Sequence, residues 1–343
     1  AQIGRMLDTL GVERVSVRRA SRVRFVFRDG AMRRVPLYLG ELLGLVLRLL
    51  SAPGRSVSKP PEQQTLEYCG MRFLGPSGVK YLLNPMVRGI YAARPSELGL
   101  FIFAKSKREG RRRMVATKGG SQDLVNALVD KLTAHRNVKL HLGSQVNQLP
   151  LSTNVLLAGS SASSAALLEQ RSPEGARLLH QIQYLPLITV TVFVEEPTRG
   201  KRGVGVLFPE CETGKTLGVL FSSDSFSGRV KDERRVSSFT CILGGSSQLE
   251  VMAETDEQID ARVFQDLEKV LGHKPRILDR KIQRWPQALP LYSPDLKVIW
   301  AGLQRELEKT PGTALFGNYT GQISARGIWQ QLATWPLVES PSE

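Results

Sequence analysis

Cysteine, histidine and aromatic residues are all scarce in this chain. Its three cysteines, Cys69, Cys211 and Cys241, are odd in number and lack metal-ligand spacing. That excludes a disulfide scaffold and favours reduced thiols in a cytosolic compartment. Four histidines are scattered without an HExxH or a close pair, and no Ser/His/Asp set or paired carboxylates emerge. Metal-assisted and nucleophilic hydrolysis therefore have no readable machinery. No apolar run reaches the ~18 residues that span a bilayer. Acidic residues are outnumbered, giving a net charge of +15, yet no aromatic platform flanks the densest basic run, Lys105, Lys107, Arg108, Arg111, Arg112 and Arg113. A nucleic-acid partner is not expected on that ground. A solvated loop is the plain reading, and attraction to anionic lipid or a carboxylated substrate is the alternative.

A GxGxxG motif is absent as well. Gly203-Val204-Gly205 runs on into Leu207-Phe208-Pro209, which cannot open a helix. The ADP half of a dinucleotide needs its pyrophosphate on a glycine-rich strand-to-helix turn, so this chain alone should hold that half poorly.

What is present is long enough for a large core and about two domains. Residues 2–10 read as a short helix closed by Gly11, and 15–17 and 23–27 as strands, with Arg28-Asp29-Gly30-Ala31 as a hairpin turn. A leucine-rich helix over 37–50 carries only Glu41 and Arg48 as charges. It reads as a buried helix, or as one that meets lipid. Helices follow at 65–73, 79–86 and, behind Gly119-Gly120, 121–134. Strands are expected at 138–142, 146–149 and 154–158, and helices at 163–170 and 175–183. The strongest β signal lies at 187–194, 204–208, 217–221 and 238–243, where incomplete alternation predicts a sheet covered on both faces. An amphipathic helix at 256–271, a strand at 276–283 and a helix at 295–309 complete the order. This pattern predicts an α/β (mixed α+β) protein of two interleaved domains.

The most informative stretch is Leu315-Phe316-Gly317-Asn318-Tyr319-Thr320-Gly321-Gln322-Ile323-Ser324-Ala325: an apolar run, a glycine turn and the start of a helical pattern. Such a turn aims backbone N–H groups at an electron-rich ring or an anion. Upstream lies Arg284-Trp285-Pro286-Gln287-Ala288-Leu289-Pro290. Together the two resemble the flavin-facing end of the FAD-dependent amine oxidase superfamily, and within it the oxygen-dependent protoporphyrinogen oxidases. Further stretches are similar to that family in the same serial order: Arg24-Phe25-Val26-Phe27-Arg28-Asp29-Gly30, Val87-Arg88-Gly89-Ile90-Tyr91-Ala92, Lys118-Gly119-Gly120, Gly143-Ser144-Gln145-Val146, Gly205-Val206-Leu207-Phe208-Pro209 and Leu217-Gly218-Val219-Leu220.

The resemblance implies an FAD-binding part, incomplete for want of the family's N-terminal βαβ unit, beside a mixed-sheet substrate domain with a helical insertion. Residues 1–36 and 186–284 would form the sheet domain, 37–110 the insertion, and 111–185 with 285–343 the partial FAD domain. It implies oxidation of protoporphyrinogen IX by O₂ to protoporphyrin IX, with coproporphyrinogen III or a non-catalytic porphyrin-binding homologue as alternatives. In that reading Arg24 pairs with a substrate carboxylate, and Gly89, Leu207, Leu220 and Ile242 shape the substrate site. Val146, Trp285, Gly317, Asn318, Ile323, Ser324 and Ala325 would face FAD. Each also has a plainer reading: a solvated basic strand face for Arg24, core positions for the aliphatics, and a helix C-cap for Gly89. Arg22 and Arg28 could either meet the extra carboxylates of coproporphyrinogen or face solvent. A cytoplasmic protein in peripheral contact with the inner face of the membrane, and a homodimer, are compatible with the resemblance.

Overall fold

The computed structural model describes residues 2–18, 22–50, 64–103, 115–150, 154–199, 202–212, 214–321 and 327–328. In chain order come α1 (Gln2–Thr9), β1 (Arg14–Ser16), β2 (Arg24–Arg28), β3 (Ala31–Arg33), α2 (Leu39–Leu50) and α3 (Leu66–Phe73). Then follow α4 (Gly75–Gly78), a π-helical turn (Val79–Leu83), α5 (Asn84–Tyr91), β4 (Val115–Thr117) and α6 (Ser121–Thr133). The middle of the chain supplies β5 (Val155–Leu157), α7 (Ser161–Leu168), α8 (Pro173–His180), β6 (Tyr184–Glu195), β7 (Gly205–Leu207) and β8 (Gly218–Leu220). The remainder is α9 (Ser222–Ser225), β9 (Val236–Gly244), α10 (Asp256–Leu271), β10 (Ile277–Pro290), α11 (Pro294–Glu308) and β11 (Thr313–Leu315).

Seven strands form one mixed sheet in the order β10-β6-β9-β8-β7-β2-β3, in which only β2 and β7 run parallel. The β2–β3 hairpin closes through Asp29 and Gly30 at φ 51° and 76°, the left-handed pair that a two-residue turn demands. One sheet face is packed shut. Phe27, Val190, Val192, Val206, Val219, Phe239 and Cys241 meet Ile259, Val263 and Leu267 of α10 there. Full burial of each such aliphatic contributes about 1.5–3 kcal/mol. Helix α10 is bounded as its sequence dictates. Thr255 and Gln258 form a reciprocal capping box, and Gly272 ends the helix at φ 78°. Asp266, fully buried on α10, accepts the N–H groups of Lys215 at 2.6 Å and Thr216 at 2.7 Å, fixing the loop that enters β8.

A second core joins α3, the π turn and α5 to α7, α8 and α11, with Tyr292 and Tyr319 fully buried in it. Beside it β5 and β11 pair in parallel, Leu157 opposite Leu315.

Three expectations are corrected. The sheet is fully covered on one face only; the second is covered in part, by α5 at Leu207, and the weak alternation comes from hydroxyl residues on that half-open face. The strands expected at 138–142 and 146–149 do not form: these stretches are irregular and pair with none of the described strands. Helix α2 has no buried residue, so the leucine-rich stretch is not a core helix.

Candidate functional site

Cross-strand partners share a face, so the register locates the predicted substrate residues. One row across the sheet reads Arg24, Gly205, Leu220, Thr240, Thr191 and Lys281. The next reads Val26, Leu207, Gly218, Ile242, Thr189 and Gln283. Trp285 follows in a third row, opposite Leu187. Arg24, Leu207, Leu220, Ile242 and Trp285 therefore lie on one face, the face opposite α10. Leu220 is 41% exposed and Trp285 48%, which distinguishes this surface from the core behind it. The tryptophan's indole N–H donates to Thr189 Oγ1 at 3.2 Å, so it is extended along β10 and tied to the sheet.

Leucines and glycines alternate diagonally on this floor. Gly218 stands beside Leu207, and a Cβ there would come within 3.0 Å of the Leu207 Cδ2. Gly89, far away in sequence, meets the same side chain from above: a Cβ on Gly89 would overlap that methyl. Gly89 is thus inside α5, not a helix cap. The cap is Ala92, at φ 57°. Glycine here marks close approach of the helix to the sheet face, which makes α5 one wall of a cleft over Leu207.

The helical block is fixed to the sheet by two buried arginines. Arg88 of α5 donates to Phe208 O and Ser247 Oγ, both at 3.0 Å, and burial lowers its pKa. Arg28, at the end of β2, has a side chain 7% exposed, stacked between the rings of Tyr38 and Tyr81 with its guanidinium 4.1 and 3.7 Å from their centroids. It donates to Glu41 Oε2 at 2.7 Å and Oε1 at 3.2 Å, and that pairing holds the Glu41 carboxyl down at about 2. Arg28 is therefore neither solvent-facing nor free for a substrate carboxylate; it docks α2.

On the cofactor side, β5 and β11 end at the same edge on glycine turns. β5 leads through Gly159 into α7, capped by Ser160, and β11 leads into Gly317 and Asn318. The carboxyl ends of parallel strands beside helix N-termini are where α/β folds hold nucleotide cofactors. The turn is rigid: Tyr292 Oη donates to Asn318 O at 2.8 Å, and Thr320 Oγ1 to Gly317 O at 2.8 Å. The space a Gly317 side chain would need is filled by the buried ring of Tyr319, 2.6 Å from the added Cβ. The far end of β10 packs on this turn, linking it to the strand that carries Trp285. Val146 sits apart, 57% exposed on the irregular stretch before β5. Ile323, Ser324 and Ala325 lie outside the described residues, as does the basic run at 105–113. The described residues thus fit the ring end of a flavin dinucleotide, while none of them forms the glycine motif its ADP end requires.

Sequence reasoning missed the hydroxyl row. Thr189, Thr191 and Thr240 share the open face with the leucines. Their signal was the alternation Ile188-Thr189-Val190-Thr191-Val192, in which every second residue avoids a plain core side chain.

Comparison with known proteins agrees with this architecture. The profile of the family described as flavin containing amine oxidoreductase matches residues 5–322. Protoporphyrinogen oxidase 2, chloroplastic/mitochondrial, of Arabidopsis thaliana is 24% identical over 404 residues, covering 94% of this chain and 78% of that protein. The chloroplastic protoporphyrinogen oxidase of Nicotiana tabacum is 24% identical over 78% of this chain, which spans 61% of its length. Among solved structures, an Exiguobacterium protein provisionally described as a protoporphyrinogen oxidase superposes with a TM-score of 0.75 at 17% identity, covering 97% of this chain and 85% of that one. Reduced UDP-galactopyranose mutase superposes with a TM-score of 0.71 at 12% identity, covering 97% and 83%. The mixed α/β fold is the one these structures share.

Proposed function

The chain belongs to the flavin-containing amine oxidoreductase family, and from that premise we propose that it oxidises protoporphyrinogen IX to protoporphyrin IX in an FAD-dependent reaction with O₂ as acceptor. The observation that supports this reading is the open sheet face: a flat apolar floor of Leu207, Leu220 and Ile242, flanked by the exposed Arg24, walled by α5 at Gly89 and reaching Trp285 at its far edge. A broad apolar macrocycle with anionic side chains, which flattens as its methylene bridges are oxidised, matches that distribution of apolar and cationic groups.

FAD, when bound, supplies the acceptor for hydride from the substrate, and Gly317, Asn318 and Trp285 are the described residues that would hold its ring end, with Val146 toward the adenine side. The chain's own work is binding and orientation. Arg24 anchors a carboxylate and so fixes which edge of the ligand points across the sheet toward β10. The leucines and Ile242 exclude water from the ligand's face, and the alternating glycines let it lie flat. No acid or base is required of the protein in this scheme.

Arg28 bears on the competing tetracarboxylate. Its commitment to Glu41 removes a cation that coproporphyrinogen III would need, and this favours the dicarboxylate. Outside the cleft, α2 presents Leu39, Leu43, Val46, Leu47 and Leu50 on one helical face, all exposed. No helix among the described residues is long and apolar enough to cross a membrane, and we assign this stripe to contact with a membrane surface.

The test is turnover of protoporphyrinogen IX by the purified protein with FAD added, followed by porphyrin fluorescence. Arg24→Ala should raise KM by about 10- to 100-fold, the loss of one charged hydrogen bond, and leave kcat near wild type. A protein that neither takes up flavin nor forms porphyrin refutes the proposal, and one that stays colourless yet binds porphyrin supports the non-catalytic homologue.

A further inference from the structure

Beyond Leu220 the open face deepens into a cavity of about 500 Å³ that no predicted role accounts for. Its floor continues the same rows, with Thr191, Thr240, Phe193 and Ser238 contributing, and Phe226 forms a side. Among the described residues lining it, Arg229 is the one that carries a charge.

Two features mark the cavity as a place for an anion. Ser238, one of the lining residues, is 2% exposed, and its hydroxyl has no hydrogen-bond partner among the described residues. A buried hydroxyl left unsatisfied carries a desolvation penalty that a ligand oxygen within reach would remove. Arg229, for its part, is held in place without being neutralised. Its Nη2 donates to the Thr117 carbonyl at 3.0 Å and its guanidinium lies 5.7 Å from the Phe226 centroid, while no described carboxylate pairs with it. Arg28, Arg280 and Arg284, by contrast, each have an acidic partner.

The position of the cavity gives the anion a chemical identity. Arg24 and Leu220 occupy one row, and the cavity begins in that row and extends into the next, away from Leu207 and Ile242. Both cations therefore flank the same end of the apolar floor. We propose that the cavity is a second carboxylate subsite, in which Arg229 and the Ser238 hydroxyl take one acidic arm of a flat apolar ligand whose neighbouring arm pairs with Arg24. This deepens the porphyrinogen reading and rests on it. It adds that the ligand is recognised through two adjacent carboxylates on one edge, and it makes Arg229 a specificity-determining residue.

The experiment is equilibrium binding of protoporphyrin IX and of its dimethyl ester to the FAD-supplemented protein, followed by tryptophan quenching. The proposal predicts that Arg229→Ala weakens the diacid on the order of 10-fold or more and leaves the ester unchanged, that Arg229→Lys recovers part of the loss, and that Ser238→Ala weakens the diacid alone. If Arg229 only braces the Thr117 carbonyl, Arg229→Ala weakens both ligands equally. That result, or unchanged diacid affinity in both alanine variants, overturns the subsite while the porphyrinogen reading stands. Wild-type protein that binds neither porphyrin overturns both.

Discussion

Replacing Gly89 by Ala tests whether the α5–sheet contact shapes the cleft or merely closes the core. In an exposed helix interior the change would stabilise by about 0.8–1.0 kcal/mol through propensity alone. Here the new methyl overlaps the Leu207 Cδ2, and restoring van der Waals separation moves that methyl by roughly 1 Å or more. Gly218 stands on the other side of the same Cδ2, where an added Cβ would lie 3.0 Å away, so the only room Leu207 has is what that missing side chain leaves or the open face above it. Either move puts the side chain into the surface of the floor. Overpacking of this kind costs about 1–3 kcal/mol, so the net effect on stability is a loss of only about 0–2 kcal/mol. The effect on the site is larger, since the displaced side chain stands where a flat ligand would rest. Gly89→Ala should keep a melting temperature within several degrees of wild type and raise KM for protoporphyrinogen at least tenfold. Adding Leu207→Ala should recover most of that loss, a coupling of about 1–2 kcal/mol between contacting residues. A Gly89→Ala enzyme with unchanged KM would show that Leu207 does not border the ligand, and the placement of the substrate on this face would fall with it.

Glu41→Gln removes the charge that docks α2 on Arg28 and should destabilise the protein by about 2–4 kcal/mol, read from urea melts. Because the folded-state pKa of Glu41 is held at about 2, below its ordinary value of 4.5, the pair stabilises the fold above the ordinary value and ceases to do so as pH falls toward 2. The stability gap between wild type and Glu41→Gln should therefore close across that acid window, and a gap independent of pH would refute the assignment. Asp266→Ala leaves the Lys215 and Thr216 amides without an acceptor in a buried site and should cost about 2–4 kcal/mol by the same melts, and Lys269→Ala should cost less, because it removes only the cation 3.2 Å from that carboxylate and keeps both amide bonds. Leu43→Glu with Leu47→Glu should abolish co-sedimentation with anionic vesicles and leave the melting temperature unchanged, because neither side chain is buried. Retained sedimentation would remove α2 from the membrane contact.

Elements whose signals are local are legible in the amino-acid sequence itself. Thr255 and Gln258 announce the start of α10 and Gly272 its end, and Asp29-Gly30 announces the hairpin. The order of the family-like stretches is enough to place Arg24, Leu207, Leu220, Ile242 and Trp285 in one protein class, and the register gathers them on one face. What stays illegible depends on partners distant in sequence. Gly89 reads as a possible cap until Leu207, more than a hundred residues on, is seen beneath it. Arg28 shares parity with Arg24, yet Tyr38, Glu41 and Tyr81 converge to bury it, and none of the three is on its strand. The segment around Val146 has the composition of a strand, but composition makes a strand only through pairing with a distant partner, and this segment pairs with none of the described strands.

The two faces of the sheet carry the case for a ligand more firmly than any single residue. On the α10 side the chain places Phe, Val and Ile, and it fills the space to leave those side chains fully buried. On the other side the same strands place glycine at 205 and 218, threonine at 189, 191 and 240, and leucine at 207 and 220. A sheet face built only to be wetted has no use for exposed leucine, and one built only to be packed has no use for glycine and threonine, which bury little apolar area. The mixture serves a surface that must be flat, partly apolar and able to donate hydrogen bonds. Helix α5 stops at the rim of that surface and does not cover it, because Gly89 brings it close at Leu207 while Ala92 turns the chain away at φ 57°. Helix and sheet together therefore leave a slot whose height is set by one glycine and whose charged end is set by arginines.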